Sequence, residues 1–212
     1  MSGLDPFARH GLRLLSPSSL ALYRAAPALW CLRYLFGVRD DETAYLWRGR
    51  AVETGINAIV FDDAADDVAI EAARHNFELS AQGEISPEID KNRRAIPEMI
   101  RRSGALFRQL GKPVAIQQKV DLWLDGIEIP VIGYCDYVYE KFIVDLKTTF
   151  AFPSRPRFND AMQAVFYADV LSRRPGLIYV TPRKTAVYPH SEIDVRAVAD
   201  FFVSQRMLCG LC

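Results

Sequence analysis

The chain has 212 residues, half of them hydrophobic and a quarter charged, with 26 Lys plus Arg against 26 Asp plus Glu; that length carries one sizeable core, and the mixture excludes a disordered or fibrous chain. No apolar run approaches the roughly 20 residues that cross a bilayer, and the start MSGLDPFARHG lacks the regions of a signal peptide, so an intracellular, cytoplasmic location is expected. Balanced charge neither advertises nor excludes nucleic acid, and four cysteines (Cys31, Cys135, Cys209, Cys212) read as free thiols or metal ligands rather than a disulfide framework.

A single domain over 1–212 is expected, mainly helical over 1–111 and built on a sheet with flanking helices over 112–212. Ser16 is an N-cap with Pro17 in the first helical position of LSPSSLALYRAA. A second helix follows Pro27 through LWCLRYLF to Gly37, and residues 41–60 carry apolar side chains near helical spacing. Two more helices are predicted over 63–81 and 87–110, the last ended by Gly111 before Pro113.

After Pro113 the period changes to that of strands. VAIQQKVDLWL and IEIPVIGYCDYVY are two strand-like runs joined by Asp125-Gly126, which accepts the positive φ of a tight hairpin turn, and IVDLKTTF is a third. FNDAMQAVFYADVLS reads as a helix capped by Asn159 or Asp160, GLIYVTP and TAVYPH as short strands, and DVRAVADFFVSQRML as a closing helix. This order predicts a mixed α/β domain whose small sheet is covered by helices.

IVDLKTTF carries two opposite charges inside an apolar run. Alternation sets Ile143, Asp145 and Lys147 on one face and Phe142, Val144 and Leu146 on the other. A tight turn around Glu140-Lys141 brings Asp136 of the preceding strand beside Asp145, within reach of one ion. Two such carboxylates repel, a divalent cation such as Mg²⁺ or Mn²⁺ removes the repulsion, and a lysine alongside can position an attacking water or offset charge on a phosphate.

Gly133-Tyr-Cys-Asp136, then Val144-Asp-Leu-Lys-Thr-Thr149, then Gln163-Ala-Val-Phe-Tyr167 resemble the motifs of the PD-(D/E)XK nuclease superfamily, in particular its RecB-like exonuclease branch with CRISPR-associated and phage homologues. Gly49-Arg50-Ala51-Val52-Glu53 is similar to the Gly-x-x-Val-His/Glu element of the same branch, and LSPSSLALY with Pro27-Ala-Leu-Trp-Cys-Leu-Arg-Tyr34 resembles its N-terminal helices, so the likeness runs from about 15 to 170. Glutamate stands where many relatives have histidine, and Cys135 stands in place of the proline of the superfamily name.

The resemblance implies a restriction-endonuclease-like core, with the helical N-terminal half expected to form an arch or cover over the site. It implies that Glu53, Asp136 and Asp145 hold Mg²⁺ or Mn²⁺ with the backbone carbonyl of Leu146, that Lys147 positions the water, and that Gln163 and Tyr167 orient lysine, water or strand. The expected activity is metal-dependent DNA hydrolysis, exonucleolytic on single-stranded DNA or duplex ends, with DNA as partner, no membrane, and protein partners in recombination, repair or CRISPR adaptation. The alternative is a non-catalytic nucleic-acid-binding or adaptor module on the same fold.

Many members of the branch hold a [4Fe–4S] cluster, for which Cys31, Cys209 and Cys212 supply three thiolates. The fourth ligand is then elsewhere or of another type, or no cluster exists; Cys135 reads as a core thiol. Arg155 and Arg157, between the charged strand and the Gln163 helix, are expected to meet a phosphate backbone. Lys91-Asn-Arg93-Arg94 and Arg101-Arg102 read as solvated helix faces, and Trp30, Tyr34 and Trp47 as packing residues.

Overall fold

The computed structural model describes residues 7, 10–124 and 127–193. The Asp125-Gly126 turn, the closing helix expected over 194–208, Cys209 and Cys212 lie outside the described residues. Helices α1 (Pro17–Ala25), α2 (Pro27–Trp30), α3 (Ala44–Asp62), α4 (Asp66–Ala81) and α5 (Pro87–Leu110) precede strands β1 (Ala115–Leu122), β2 (Val131–Val138) and β3 (Ile143–Thr148). Helix α6 (Phe158–Val170), β4 (Leu177–Val180) and β5 (Thr185–Tyr188) follow. Among the described residues no helix is long and apolar enough to cross a membrane.

The helix starts follow from local chemistry. Ser16 and Ser19 form a reciprocal capping box, each backbone N–H donating to the other's hydroxyl, and Ser86 accepts from the Ile89 N–H at the start of α5. Pro17 and Pro87 stand inside these first turns, where the missing N–H has no partner to lose. The second helix is shorter than its apolar run predicts: after Trp30 the backbone widens into a π turn over Cys31–Leu35.

The sheet has the order β1-β2-β3-β4-β5, antiparallel except for the parallel β3–β4 pair. A parallel pair needs a crossover, and α6 supplies it. Both faces of the sheet are covered. Val131, Cys135, Ile143, Leu177 and Tyr179 pack with Leu20, Trp30, Met162, Phe166 and Tyr167 of α1, α2 and α6. Tyr137, Val144, Ile178 and Val180 pack with Val52, Ile56, Phe77, Ile96, Met99 and Phe107 of α3, α4 and α5. The N-terminal helices therefore do not form one continuous arch or cover. They divide between the two faces, because each apolar stripe needs a partner and the sheet offers two.

Gly55 locks α3 into its layer. A Cβ there would lie 2.6 Å from Ile100 Cδ1 and 2.9 Å from the Ala69 carbonyl oxygen, so α3 approaches α4 and α5 at backbone distance. Its first half then faces the sheet at the level of Asp136 and Asp145. The aromatics behave as packing residues: Trp30 lies 5.3 Å from Tyr23 and 5.5 Å from Tyr34, and Trp47 lies 6.2 Å from Phe77.

Candidate active site

The β2–β3 hairpin turns through Tyr139–Phe142, where the Tyr139 N–H donates to the Phe142 carbonyl at 2.9 Å. Its register pairs Val138 with Ile143 and Tyr137 with Val144, and would next set Asp136 opposite Asp145. The ladder stops at that point. Asp136 Oδ2 instead accepts the Leu146 N–H at 2.8 Å, so a carboxylate replaces a strand carbonyl.

On its other side Asp136 is also unladdered, because β1 pairs Ile116 with Tyr137 and Gln118 with Cys135 but skips the position between. Strict alternation puts Cys135 and Tyr137 on one face; they belong to opposite cores, so β2 turns over at Asp136. Opposite the turnover, Gln117 has φ +45°, a left-handed conformation that costs a non-glycine residue about 1 kcal/mol or more. Its side-chain amide donates to Glu53 Oε1 on α3 and, at 3.2 Å, to Asp136 Oδ1.

Asp145 is 1 % exposed. Its Oδ2 lies 2.6 Å from Lys147 Nζ as an ion pair, and no other group among the described residues donates to either carboxylate oxygen. Lys147 Nζ donates to Gln163 Oε1 at 2.7 Å, and Gln163 Nε2 donates to Tyr167 Oη at 2.7 Å. The last pair spans one turn of α6, the spacing that sets two side chains on one face. Gly133 makes room for it: a Cβ there would lie 2.9 Å from Tyr167 Oη.

Burial pushes Asp145 up to about 7 against the opposing Lys147 charge, and Asp136 up to about 6. Burial raises Glu53 as well, opposed by the Gln117 hydrogen bond and reinforced by the charge of Asp145. For Lys147 burial works against the charge, but Asp145 and Asp136 outweigh it and hold the ammonium above its usual range.

Glu53, Asp136, Asp145, Lys147, Gln163 and Tyr167, from three layers of the fold, thus meet in one charged, linked constellation. As they stand, no three His, Cys, Asp or Glu side chains among the described residues are gathered to hold a metal. The Gln117 amide stands between Glu53 and Asp136, and Lys147 draws on Asp145. The donor chemistry nevertheless fits a hard divalent cation: three carboxylates, one of them buried with a single ammonium as its partner among the described residues.

Two residues of this neighbourhood escape a reading of motifs. Gln117 shows no sequence signal beyond an exposed strand polar. Arg48 does: it falls on the apolar face of α3 with Ala44, Ala51 and Val52 and is 3 % exposed. Its guanidinium donates to Asn92 Oδ1 at 2.6 Å and to the Thr148 carbonyl at 3.2 Å, and covers the Phe150 ring at 4.5 Å. It ties the end of β3 to α3 and α5. Burial lowers its pKa to about 10.

Arg155 and Arg157 are exposed between β3 and α6, and Arg157 Nη2 donates to Thr149 Oγ1 at 3.2 Å. The cap expected at Asn159 or Asp160 is not formed. Arg157 occupies the N-cap without a side-chain bond, and Asp160 Oδ2 accepts from Tyr179 Oη at 2.6 Å, the phenol oxygen accepting the Arg157 N–H at 3.2 Å. Arg93 pairs with Glu78 and Asp90, and Arg101 and Arg102 with Glu98, as solvated helix faces do. Cys31 is partly buried, and Cys135 is fully buried in the core beside α6.

The family model of the PD-(D/E)XK nuclease superfamily matches residues 14–199. The chain belongs to this superfamily, whose members are nucleases that generally use Mg²⁺ or Mn²⁺. A solved structure described as "Crystal structure of SSO0001" is similar at 15% identity and a TM-score of 0.38, with 90% of this chain and 82% of that chain covered. No curated protein matches.

Proposed function

We propose that the chain is a divalent-cation-dependent deoxyribonuclease of RecB-like type that removes nucleotides from single-stranded DNA or duplex ends. The observation that carries the catalytic reading is the Asp145–Lys147 pair: a buried carboxylate whose one partner among the described residues is an ammonium 2.6 Å away that also reaches Gln163. The exonuclease reading is supported by the Gln163-x-x-x-Tyr167 helix and the Gly49–Glu53 element of the sequence.

Glu53, Asp136 and Asp145, with the Leu146 carbonyl, would hold Mg²⁺ or Mn²⁺, which supplies a Lewis acid for the phosphate and lowers the pKa of an attacking water. Lys147 faces the phosphate with a donor and a full positive charge and offsets the charge that grows on it in the transition state. Gln163 accepts from Lys147 and donates to Tyr167, which holds the ammonium between Asp145 and α6 and fixes its direction. Arg155 and Arg157 receive the next phosphates of the strand.

The test is degradation of end-labelled single-stranded and duplex DNA in Mn²⁺ by the full chain and by Lys147→Ala. Loss of at least about 100-fold in the variant, with mononucleotides or short oligonucleotides as product, is expected. A chain that binds DNA and leaves it intact in every metal is an adaptor.

A further inference from the structure

Inside β1, an ordinary strand position holds a left-handed glutamine. Gln117 is an exposed polar residue at φ +45°, where its neighbours Ile116 and Gln118 keep their ladder pairs and it does not. No turn requires that conformation, since the register on both sides is the same. What the twist achieves is a side-chain direction. One Nε2 group reaches across two elements and donates to Glu53 Oε1 of α3 and to Asp136 Oδ1 of β2. These are two of the three carboxylates in the candidate metal set, and one neutral amide NH₂ serves both together.

Resting on the nuclease reading above, we propose that Gln117 is a placeholder for the cation: its amide occupies the gap between Glu53 and Asp136 in the metal-free state and swings out when Mg²⁺ or Mn²⁺ binds. An amide nitrogen offers donors only, so the lone pairs of Glu53 Oε1 and Asp136 Oδ1 that now accept from it are withheld from a cation until it leaves. The glutamine therefore competes with the cation. It holds two like charges in place without metal and sets how much cation is needed to load the site. The strained backbone supports this role, because a side chain held by a left-handed residue is aimed along a line that a regular strand residue does not reach.

The experiment is a Mn²⁺ titration of the full chain by calorimetry at pH 8, for wild type, Gln117→Asn and Gln117→Gly. Asparagine tolerates the left-handed backbone but is one methylene too short to bridge both carboxylates; glycine removes the strain and the amide together. Both variants should bind Mn²⁺ roughly fivefold more tightly or better, the effect of removing hydrogen bonds to charged groups from the free state alone. In ¹⁵N-labelled wild type, the side-chain NH₂ resonances missing from the glycine variant should shift on saturation with diamagnetic Mg²⁺. Equal or weaker Mn²⁺ binding by both variants, or NH₂ resonances that stay put at saturating Mg²⁺, overturns the placeholder. A wild-type chain that binds no Mn²⁺ overturns the metal centre itself, and this inference with it.

Discussion

Asp145 and Lys147 stand two residues apart on one face of β3, the aspartate side chain 1 % exposed and the lysine side chain 24 % exposed, 2.6 Å between their charged atoms. One end of the pair is dry and fixed while the other opens to solvent and to α6 through Gln163. A buried carboxylate is expensive unless it is paired, so the same contact that offers chemistry also holds the strand in its buried place.

Lys147→Met leaves Asp145 buried and unpaired. Urea unfolding should show a loss on the order of 3 kcal/mol, and adding Asp145→Asn should recover part of it, with a coupling of roughly 1–3 kcal/mol across the double-mutant cycle. Additive effects of the two changes would mean that the pair carries no mutual stabilisation.

Stability without metal should depend on pH in a defined direction. Asp136 and Asp145 titrate at about 6 and about 7 in the fold, above the roughly 4 of an unfolded carboxylate. The folded state thus holds its protons longer, and the contribution is fully present below about pH 4 and lost as pH rises through 6 and 7. Denaturant midpoints measured from pH 4 to 8 should fall less steeply for Asp145→Asn than for wild type. Stabilisation by Mn²⁺ should grow over the same window, because the ligands must be deprotonated to bind it.

Gly133→Ala drives a methyl group into Tyr167, whose hydroxyl would be 2.9 Å from the new Cβ. A stability loss of about 1–3 kcal/mol is expected, with nuclease activity falling further as Gln163 loses its support. Putting Tyr167→Leu in the same chain should restore stability but not activity, which separates the clash from the positioning.

Arg48→Met removes the donors that hold Asn92 and the Thr148 carbonyl. Each unsatisfied buried partner should cost about 1–3 kcal/mol, seen as a lowered thermal midpoint. Arg48→Lys should restore little of it, since a single ammonium cannot serve both partners from one plane.

Arg155→Ala and Arg157→Ala should each weaken DNA binding without regard to sequence and reduce the slope of log K against log salt by about 1. Binding measured by fluorescence anisotropy across a salt series, with Arg101→Ala as the control already paired to Glu98, checks this.

Much of the architecture is written in local chemistry. Ser16, Pro17 and Gly111 mark helix ends by capping and by backbone freedom, and those boundaries stand in the structure. The face shared by Asp145 and Lys147, and the one turn between Gln163 and Tyr167, follow from the strand and helix periods alone. The expected cap at Asn159 or Asp160 fails for a reason no local rule carries: Asp160 is taken by Tyr179, 19 residues away in the chain.

By itself, then, the sequence determined the kinds of elements, their order, and which charged side chains emerge together from β3 and α6, because those features depend on neighbours within a few residues. Only the tertiary structure decided that α3 brings Glu53 to the sheet, that β2 turns over at Asp136, and that Gln117 bridges the two. The raised carboxyl groups belong to that second level too. Desolvation has no sequence period, since it depends on which distant layers close over a group once the whole chain has packed.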